Sequence, residues 1–260
     1  MVSSFDFSQT PAASGPASHS AIVAGLQSSP LLSALSDATL AGLARDCHTK
    51  TFRPGDVLCH AQDTAQTIWL IMNNGWVKLT RETLGGAEAV WDILGQTALV
   101  GIDTLSAPHL HITTATAVTE LEVLAIPHAT LRRILEQTPV FAMTLLEYLA
   151  RRTHQEHLAM EHLAQQTASQ RIGCFLLKLS GTPPEGPCTL TLPFDKGLLA
   201  ARLGMQPETF SRGLARLKQD IGMRMHGTRL HIPDMAGLSR YTCTDCSGSY
   251  PCAGGLRSRS

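Results

Sequence analysis

The chain has 260 residues, of which 43% are hydrophobic, and it balances 21 basic with 21 acidic side chains. This length and apolar content indicate one or two domains with substantial cores. No apolar run approaches the roughly 18 residues of a membrane span, and the N-terminus lacks the charged and apolar regions of a secretory signal. We therefore expect a cytoplasmic protein, in which the seven cysteines are thiols, metal ligands or cluster ligands rather than structural disulfides.

The N-terminal half contains three segments that differ in composition and hydrophobic pattern. Residues 1–29 are rich in Ser, Ala and Pro without a hydrophobic period, which predicts disorder. The segment from Leu31 to Cys47 predicts a short amphipathic helix. From Thr51 to about Pro127, short alternating runs separated by Gly, Asp and Asn predict the strands of a sandwich or roll. We assign residues 30–127 to this β-roll, as a sensor domain.

Helical patterning then dominates from His128 to Leu163, with an interruption near Pro139. A helix this long cannot bury its apolar stripe against a small roll alone, so we predict that residues 128–165 pair with a partner helix in a homodimer. The stripe consists of Phe141, Leu145, Leu149, Leu158 and Leu163.

The segment from Leu198 to Arg212 predicts a helix, a tight turn at Gly204 and a second helix that begins at Pro207. Glu208, Ser211 and Arg212 lie at i, i+3 and i+4, so they share one face near the start of the second helix. In helix-turn-helix proteins this end enters the major groove, where Arg bonds guanine and Glu accepts from cytosine. The candidate DNA-binding residues are Glu208, Thr209, Ser211, Arg212 and Arg216.

The surroundings of this hairpin favour DNA over a protein partner. Between Asp195 and Ile232, seven basic residues stand against three acidic ones, although the whole chain is balanced. An alternation over residues 225–232 predicts a hairpin wing, so we assign residues 166–238 to a winged helix. The alternative is a surface helix hairpin in a protein-interaction module. An enzyme is not expected, because the sequence lacks a phosphate loop, a recognisable Ser/His/Asp motif and a His-Glu-x-x-His motif.

These motifs together resemble the CRP/FNR superfamily of bacterial transcription regulators over roughly Leu31 to Pro233. Gly55-Asp56 and Ile68-Trp69-Leu70-Ile71 are similar to the β-roll signature of the family, with Gln62 in place of a usual Gly. Glu208, Ser211 and Arg212 match the Glu-x-x-Ser-Arg pattern of the FNR branch. The resemblance implies an α+β fold with an N-terminal cyclic-nucleotide-binding-like β-roll, a long dimerisation helix and a C-terminal winged helix-turn-helix. It also implies a homodimer that binds a TTGAT-like inverted repeat in double-stranded DNA and contacts RNA polymerase.

Cyclic-nucleotide binders of this fold carry a Gly-Glu turn and an Arg-Ser/Thr-Ala segment. Here the turn is Gly101-Ile102-Asp103 and the later segment is His111-Ile112-Thr113-Thr114-Ala115, so the Glu and the phosphate-binding Arg are both missing. Because a phosphate buried without its cation is costly, we do not expect this chain to bind a cyclic nucleotide.

Cys243, Cys246 and Cys252 form a C-x2-C-x5-C motif in residues 239–260, which we assign to a Cys-rich C-terminal tail. The motif resembles the cluster-binding run of FNR-type oxygen sensors, although those carry it near the N-terminus. The resemblance implies a redox-responsive [4Fe–4S] cluster on these cysteines. The fourth ligand is open; the candidates are Cys174, Cys59 and Glu161, because Leu124 occupies the position where the FNR branch places its distant cysteine.

The sequence is also compatible with other kinds of sensor. The three cysteines could form a zinc or thiol-redox site, or they could be incidental thiols in a tail. A haem that senses nitric oxide or carbon monoxide is an alternative, since imidazole is a competent axial ligand. His154, His157 and Glu161 could share a helix face and bind a metal, but a solvated stripe explains them more simply.

Overall fold

Two four-stranded antiparallel sheets form the N-terminal half of the molecule. They are seen in a computed structural model that describes residues 18–180 and 186–247. Their strands are β1 (His48–Phe52), β2 (Val57–Cys59), β3 (Thr67–Ile71), β4 (Val77–Glu82), β5 (Glu88–Leu94), β6 (Leu99–Val100), β7 (Thr114–Ala117) and β8 (Leu121–Pro127). The strand orders are β1-β8-β3-β6 and β2-β7-β4-β5, and the two sheets together form a β-roll, as predicted.

Strand β3 shows why this roll forms. Trp69 and Ile71 point into the core between the two sheets, where Phe52 meets Trp69 edge-on at 5.6 Å between ring centroids. Ile68 and Leu70, which alternate with them, enter a second core on the outer face of the sheet. A strand that is buried on both faces has a continuous apolar run instead of an alternating one.

The second core is closed by four helices, and here two expectations are corrected. The helices are α1 (His19–Ser28), α2 (Asp37–Asp46), α3 (His128–Gln137) and α4 (Pro139–Gln165). Disorder over residues 1–29 is wrong for residues 19–28, because Ile22 and Leu26 of α1 are buried in this core and Ser18 caps the helix. Residues 1–17 lie outside the described residues.

The second correction concerns the apolar stripe of α4, which was expected to face a partner helix. Phe141 and Leu145 of α4 are buried against the roll of their own chain, and Leu158 is buried as well. Leu163 is 56% exposed. The stripe therefore mostly attaches the long helix to its own sensor domain, and a partner helix needs a different face of α4.

The C-terminal half is a winged helix. Its elements are α5 (Ala168–Ser180), β9 (Cys188–Thr191), α6 (Lys196–Arg202), α7 (Pro207–Ile221), β10 (Arg224–His226), β11 (Arg229–Ile232) and α8 (Met235–Thr242). The strands form a sheet in the order β10-β11-β9. Trp76 and Ile93 of the roll are buried in the same core as the winged helix, and Trp76 meets Phe194 edge-on at 5.6 Å between ring centroids.

The boundary expected at residue 238 is too early. Helix α8 runs on to Thr242 and is followed by a 3₁₀ turn at Cys243–Asp245. Thr242 packs on α5 at Gly173, where an added Cβ would lie 2.3 Å from the Thr242 hydroxyl oxygen. The first part of the Cys-rich tail is therefore folded onto the winged helix. No helix within residues 18–180 or 186–247 is long and apolar enough to cross a membrane.

Candidate nucleic-acid interface and cysteine site

The turn between α6 and α7 has the tight geometry that the sequence predicts. Gly204 has a φ of +62°, which favours glycine, and the backbone N–H of Met205 donates to the carbonyl of Ala200 at 2.9 Å. Arg171 of α5 donates through Nη1 to the carbonyl of Leu203 at 3.0 Å. The turn is thus fixed to the rest of the domain, and α7 begins at Pro207 with a defined direction.

Helix α7 has one buried face and one polar face. Phe210, Leu214 and Leu217 are buried in the winged-helix core. Glu208, Ser211 and Arg212 are all exposed, and they lie on the opposite face at the start of the helix. A helix that presents polar side chains near its N-terminus is the element that reads base edges in a helix-turn-helix domain.

The remaining candidates flank this face. Thr209 is half-buried, whereas Arg216 is exposed and lies 3.5 Å from Asp220 one turn later. On the wing, Arg224 and Arg229 are exposed. These exposed arginines add positive charge to the domain that contains α7, which suits contacts to DNA phosphates.

Comparison with known proteins decides the family. A cyclic nucleotide-binding domain model matches residues 49–138, and a Crp-like helix-turn-helix domain model matches residues 170–241. A crystal structure from Ruegeria pomeroyi DSS-3, described as a putative cyclic nucleotide binding protein, is 31% identical with a TM-score of 0.64 and covers 87% of this chain and 99% of that one. This chain belongs to the CRP/FNR family.

Curated relatives in the CRP/FNR family are regulators of transcription and not enzymes. The global nitrogen regulator of Synechococcus elongatus is 25% identical over 73% of this chain and 87% of its own length. The transcriptional activator protein FnrA of Stutzerimonas stutzeri is 24% identical over 73% of this chain and 78% of its own length. The comparisons confirm the predicted family and fold class. They also confirm the prediction that the chain is a regulator rather than an enzyme.

A cavity of about 310 Å³ lies between the roll and α4. Its lining includes Asp103, His111 and Thr113 of the roll and Arg152 of α4. Burial lowers the pKa of His111, while the Asp103 and Asp63 carboxylates partly oppose the shift and His128 adds to it. The roll thus presents a carboxylate and a mostly neutral imidazole from the segments where cyclic-nucleotide binders carry their Glu and Arg.

The C-terminal cysteines contact the end of α4. His162 is buried, and its Nε2 lies 3.1 Å from Sγ of Cys246. Its Nδ1 lies 3.8 Å from Sγ of Cys174, a buried residue of α5. Burial and the nearby Lys178 lower the pKa of His162, so the ring is mostly neutral at pH 7. One imidazole therefore lies between two of the cysteines that the sequence singled out.

Glu161 and the start of α5 hold the same segment. The Glu161 carboxylate accepts bonds from the Ser247 backbone N–H at 2.7 Å and from its hydroxyl at 2.6 Å, and these bonds lower the pKa of Glu161. Gln170 donates to Asp245 at 2.9 Å, and Gln166 donates to the Thr242 carbonyl at 3.2 Å. These contacts fix residues 242–247 against the junction of α4 and α5.

Three of the candidate ligands, Cys246, Cys174 and Glu161, thus lie around the junction of α4 and α5. Cys59 lies in β2 of the roll, where burial chiefly raises its pKa to about 12, whereas the cysteines that contact His162 are Cys174 and Cys246. Within the described ranges no three His, Cys, Asp or Glu side chains are placed to hold a metal ion, and Cys252 lies outside those ranges. His154 and His157 are exposed, as a solvated stripe would be.

The thiols of the cysteine motif nevertheless have the donor chemistry of an iron–sulfur site. Thiolates are the usual ligands of such clusters. Cys246 contacts one nitrogen of His162, and Cys174 contacts the other nitrogen of the same ring. Beside them, Oε1 of Gln166 and Oγ1 of Thr242 are buried with no hydrogen-bond partner among the described residues. The sequence did not single out His162 as a ligand, because its contact with Cys246 depends on how α8 packs on α5.

Proposed function

We propose that this protein is a homodimeric transcription regulator that reads an FNR-type operator through Glu208, Ser211 and Arg212. The observation that carries the proposal is the exposure of these three side chains together on the first turns of α7. The proposed operator is an inverted repeat of TTGAT-like half-sites with centres about 34 Å apart, one turn of DNA. We propose RNA polymerase as its protein partner, as the family resemblance implies, and the cytoplasm as its location.

A seam along α4 supports the dimer. Exposed residues recur on this helix at alternating spacings of three and four, which is the heptad pattern of a two-helix interface. The seam is Met143, Leu146, Ala150, Thr153, His157, Met160 and Ala164. Met143, Leu146 and Met160 are 58%, 59% and 67% exposed in one chain, which a second α4 would cover.

The test of this function is binding to a labelled operator duplex, measured by fluorescence anisotropy at two salt concentrations. We expect Arg212→Ala to weaken binding by about 1–3 kcal/mol and to relax discrimination at one guanine. Arg151→Ala is the matched control, because Arg151 is an exposed arginine on α4 away from α7. Equal affinity for the operator and a scrambled duplex would refute specific reading and favour a protein-interaction module.

We further propose that the signal is redox state or oxygen, sensed by a [4Fe–4S] cluster on Cys243, Cys246 and Cys252. A bound cluster supplies sensitivity to oxidants. The contacts of Glu161, Gln166 and Gln170 with residues 242–247 support the proposal, because they join the cysteine segment to the junction of the dimer helix and the winged helix. Movement of this segment would then shift the two domains relative to each other, a coupling that is typically worth about 1–3 kcal/mol.

The cluster is tested on anaerobically purified full-length protein. We expect a brown sample with iron, sulfide and a broad visible absorption that air removes. A colourless sample without iron after reconstitution would overturn the cluster, and a haem absorption band would assign the alternative sensor instead. DNA binding can be measured in each case, so the reading function and the sensing function are judged separately.

A further inference from the structure

Residues 242–247 lie across the joint between α4 and α5. Helix α4 ends at Gln165 and α5 begins at Ala168, so only Gln166 and Thr167 join the dimer helix to the winged helix. Residues 242–247, which we call the C-terminal strap, form hydrogen bonds on both sides of this joint. A segment that binds both helices at a joint of two residues can fix the angle between them.

On the α4 side, Glu161 holds the end of the strap. Ser247 donates to both of its carboxylate oxygens, through the backbone N–H to Oε1 at 2.7 Å and through the hydroxyl to Oε2 at 2.6 Å. Hydrogen bonds to a charged acceptor are stronger than those between neutral groups. The next residue of the helix, His162, lies 3.1 Å through Nε2 from Sγ of Cys246. The strap is therefore bound to the last turns of α4 at two successive residues.

On the α5 side, Gln170 binds the strap and also begins the helix. Its Oε1 accepts from the Thr167 backbone N–H at 2.9 Å, and Thr167 Oγ1 accepts from the Gln170 backbone N–H at 3.3 Å. This reciprocal pair is a capping box, which fixes the start of a helix. Nε2 of Gln170 donates to Asp245 at 2.9 Å. Between the two sides, Gln166 donates through Nε2 to the Thr242 carbonyl at 3.2 Å.

The angle at this joint matters for reading DNA. In a dimer paired through α4, each α7 is connected to the paired helices through α5. Half-sites with centres about 34 Å apart determine where both α7 helices must lie to bind together. The Asp92–Arg202 ion pair and the shared core hold α6 against β5. The strap acts at the joint itself, where a small change of angle moves the whole winged helix.

We propose that Glu161 is a positioning residue for operator reading, because it anchors the strap that keeps the two α7 helices at the spacing of the half-sites. The inference rests on the proposed dimer and its reading function, and it does not depend on a cluster. A loosened strap widens the range of joint angles, so fewer dimers present both helices at the correct spacing. The apparent affinity for the operator falls in proportion to that fraction. A single half-site sets no spacing, so its binding is unchanged.

The variants remove the strap contacts in steps. Glu161→Ala removes both acceptors of Ser247, whereas Glu161→Gln keeps one of them. The double variant Glu161→Ala/Gln170→Glu releases both sides of the joint. In it, the new carboxylate keeps an oxygen for the Thr167 cap but repels Asp245, which the glutamine binds in wild type.

The experiment measures operator binding by full-length protein with fluorescence anisotropy on three duplexes. These are the full inverted repeat, the same repeat with one extra base pair between the half-sites, and a duplex with a single half-site. Glu147→Ala is the matched control, an exposed glutamate on the same helix that lies 3.9 Å from Arg151. Sedimentation velocity, circular dichroism, bound iron and hydrogen exchange of residues 242–247 are recorded for each protein.

We expect Glu161→Ala to lose about tenfold in affinity for the full repeat and to keep its affinity for the single half-site within about twofold. It also tolerates the extra base pair better than wild type, which a general loss of stability would not produce. Glu161→Gln is intermediate, the double variant loses most, and Glu147→Ala behaves as wild type. Faster hydrogen exchange in the strap accompanies the loss, while the dimer and the circular dichroism spectrum are retained.

Two results would overturn the inference. One is a double variant with the wild-type affinity for the full repeat and the wild-type sensitivity to the extra base pair, because the shared core would then set the orientation alone. The other is an equal loss on the full repeat and the single half-site, which indicates damage to the reading helix. Wild-type protein that binds the full repeat no better than a scrambled duplex refutes the proposed reading function instead. The two failures are therefore distinguishable.

Discussion

Arg202 at the end of α6 forms an ion pair with Asp92 of β5, with its Nη2 at 2.9 Å and its Nε at 3.0 Å from the same carboxylate oxygen. The pair joins the first helix of the DNA-reading unit to a hairpin of the sensor domain. It lies beside Trp76 and Ile93, which share the core of the winged helix. The orientation of the two domains therefore depends on a small number of side chains.

We predict that Asp92→Asn and Arg202→Gln are coupled. Each change breaks the same half-exposed ion pair, so the double variant is less destabilised than the sum, by about 0.2–1 kcal/mol. The measurement is a double-mutant cycle by urea unfolding, repeated at high salt, where the coupling shrinks. The Lys78–Glu88 ion pair inside the roll serves as the control, because it joins no domains. Strict additivity at low salt would contradict the prediction.

A charge on the α4 seam is predicted to separate the dimer. Leu146→Glu places a carboxylate where a partner helix would bury it, so we expect self-association to weaken at least about tenfold, or about 1.4 kcal/mol. Sedimentation velocity over a concentration series measures this, and operator binding falls in parallel. Arg151→Glu, on an exposed face outside the seam, leaves the dimer intact. A Leu146→Glu protein that remains dimeric at the lowest concentration argues for another interface.

The stability of the roll is predicted to fall with acid because of His111. Burial is the main reason that its pKa is lowered in the folded state, so the unfolded chain binds more protons below its ordinary pKa of about 6.5. The stability that neutral His111 contributes is therefore present above about pH 6.5 and is lost as the pH falls below it. Thermal unfolding between pH 7.5 and 5 measures the slope.

His111→Gln removes the titrating group and should flatten that slope. Asp103 and Asp63 oppose the shift, so the effect in wild type is reduced but keeps its sign. His60→Gln, at an exposed position in the same domain, is the matched control. An unchanged slope in His111→Gln would show that other groups carry the acid sensitivity.

Gly173→Ala is predicted to loosen the cysteine segment. The new Cβ would lie too close to Thr242 Oγ1 and 3.2 Å from Leu238 Cδ1, so either the Thr242 side chain must move or α8 must shift. We expect a loss of about 1–3 kcal/mol in the free energy of unfolding and faster alkylation of Cys246. Thr242→Ala in the same chain removes the closest atom and restores part of the loss.

Gly42→Ala is the control for the same substitution. Gly42 lies in α2, where an added Cβ meets nothing within 4 Å. There the change should stabilise the protein by about 0.4–1 kcal/mol, because alanine reduces the freedom of the unfolded chain. If Gly173→Ala behaves like Gly42→Ala, α8 does not pack on α5 as described.

The elements with a strong hydrophobic period could be predicted from the sequence. Helix α7 was predicted because its buried leucines and Pro207 follow a helical pattern. Strands β3 and β4 were predicted because a glycine turn divides two apolar runs, although the structure places the two strands in different sheets. Helix α1 was missed because only Ile22 and Leu26 form its buried side within a Ser- and Ala-rich stretch. Strand β9 was missed because its four residues depend on pairing with β11, about forty residues later.

Among the candidate site residues, too, local spacing predicts some positions and tertiary packing decides others. Glu208, Ser211 and Arg212 were placed on one face by local spacing alone, and the structure leaves that face exposed. The contact of His162 with Cys246 could not be predicted, because the two residues are 84 positions apart in the sequence. Such contacts are set by the packing of α8 on α5, which no local pattern describes.

The shared core of Trp76, Ile93 and Phe194 limits how this regulator can be dissected. An isolated sensor domain would expose Trp76 and Ile93 to water, and an isolated winged helix would lose one of the two aromatic partners of Phe194. Truncated fragments and chimaeras that join this reader to a foreign sensor are therefore expected to aggregate unless these apolar positions are redesigned together. Natural recombination of the two modules would face the same constraint.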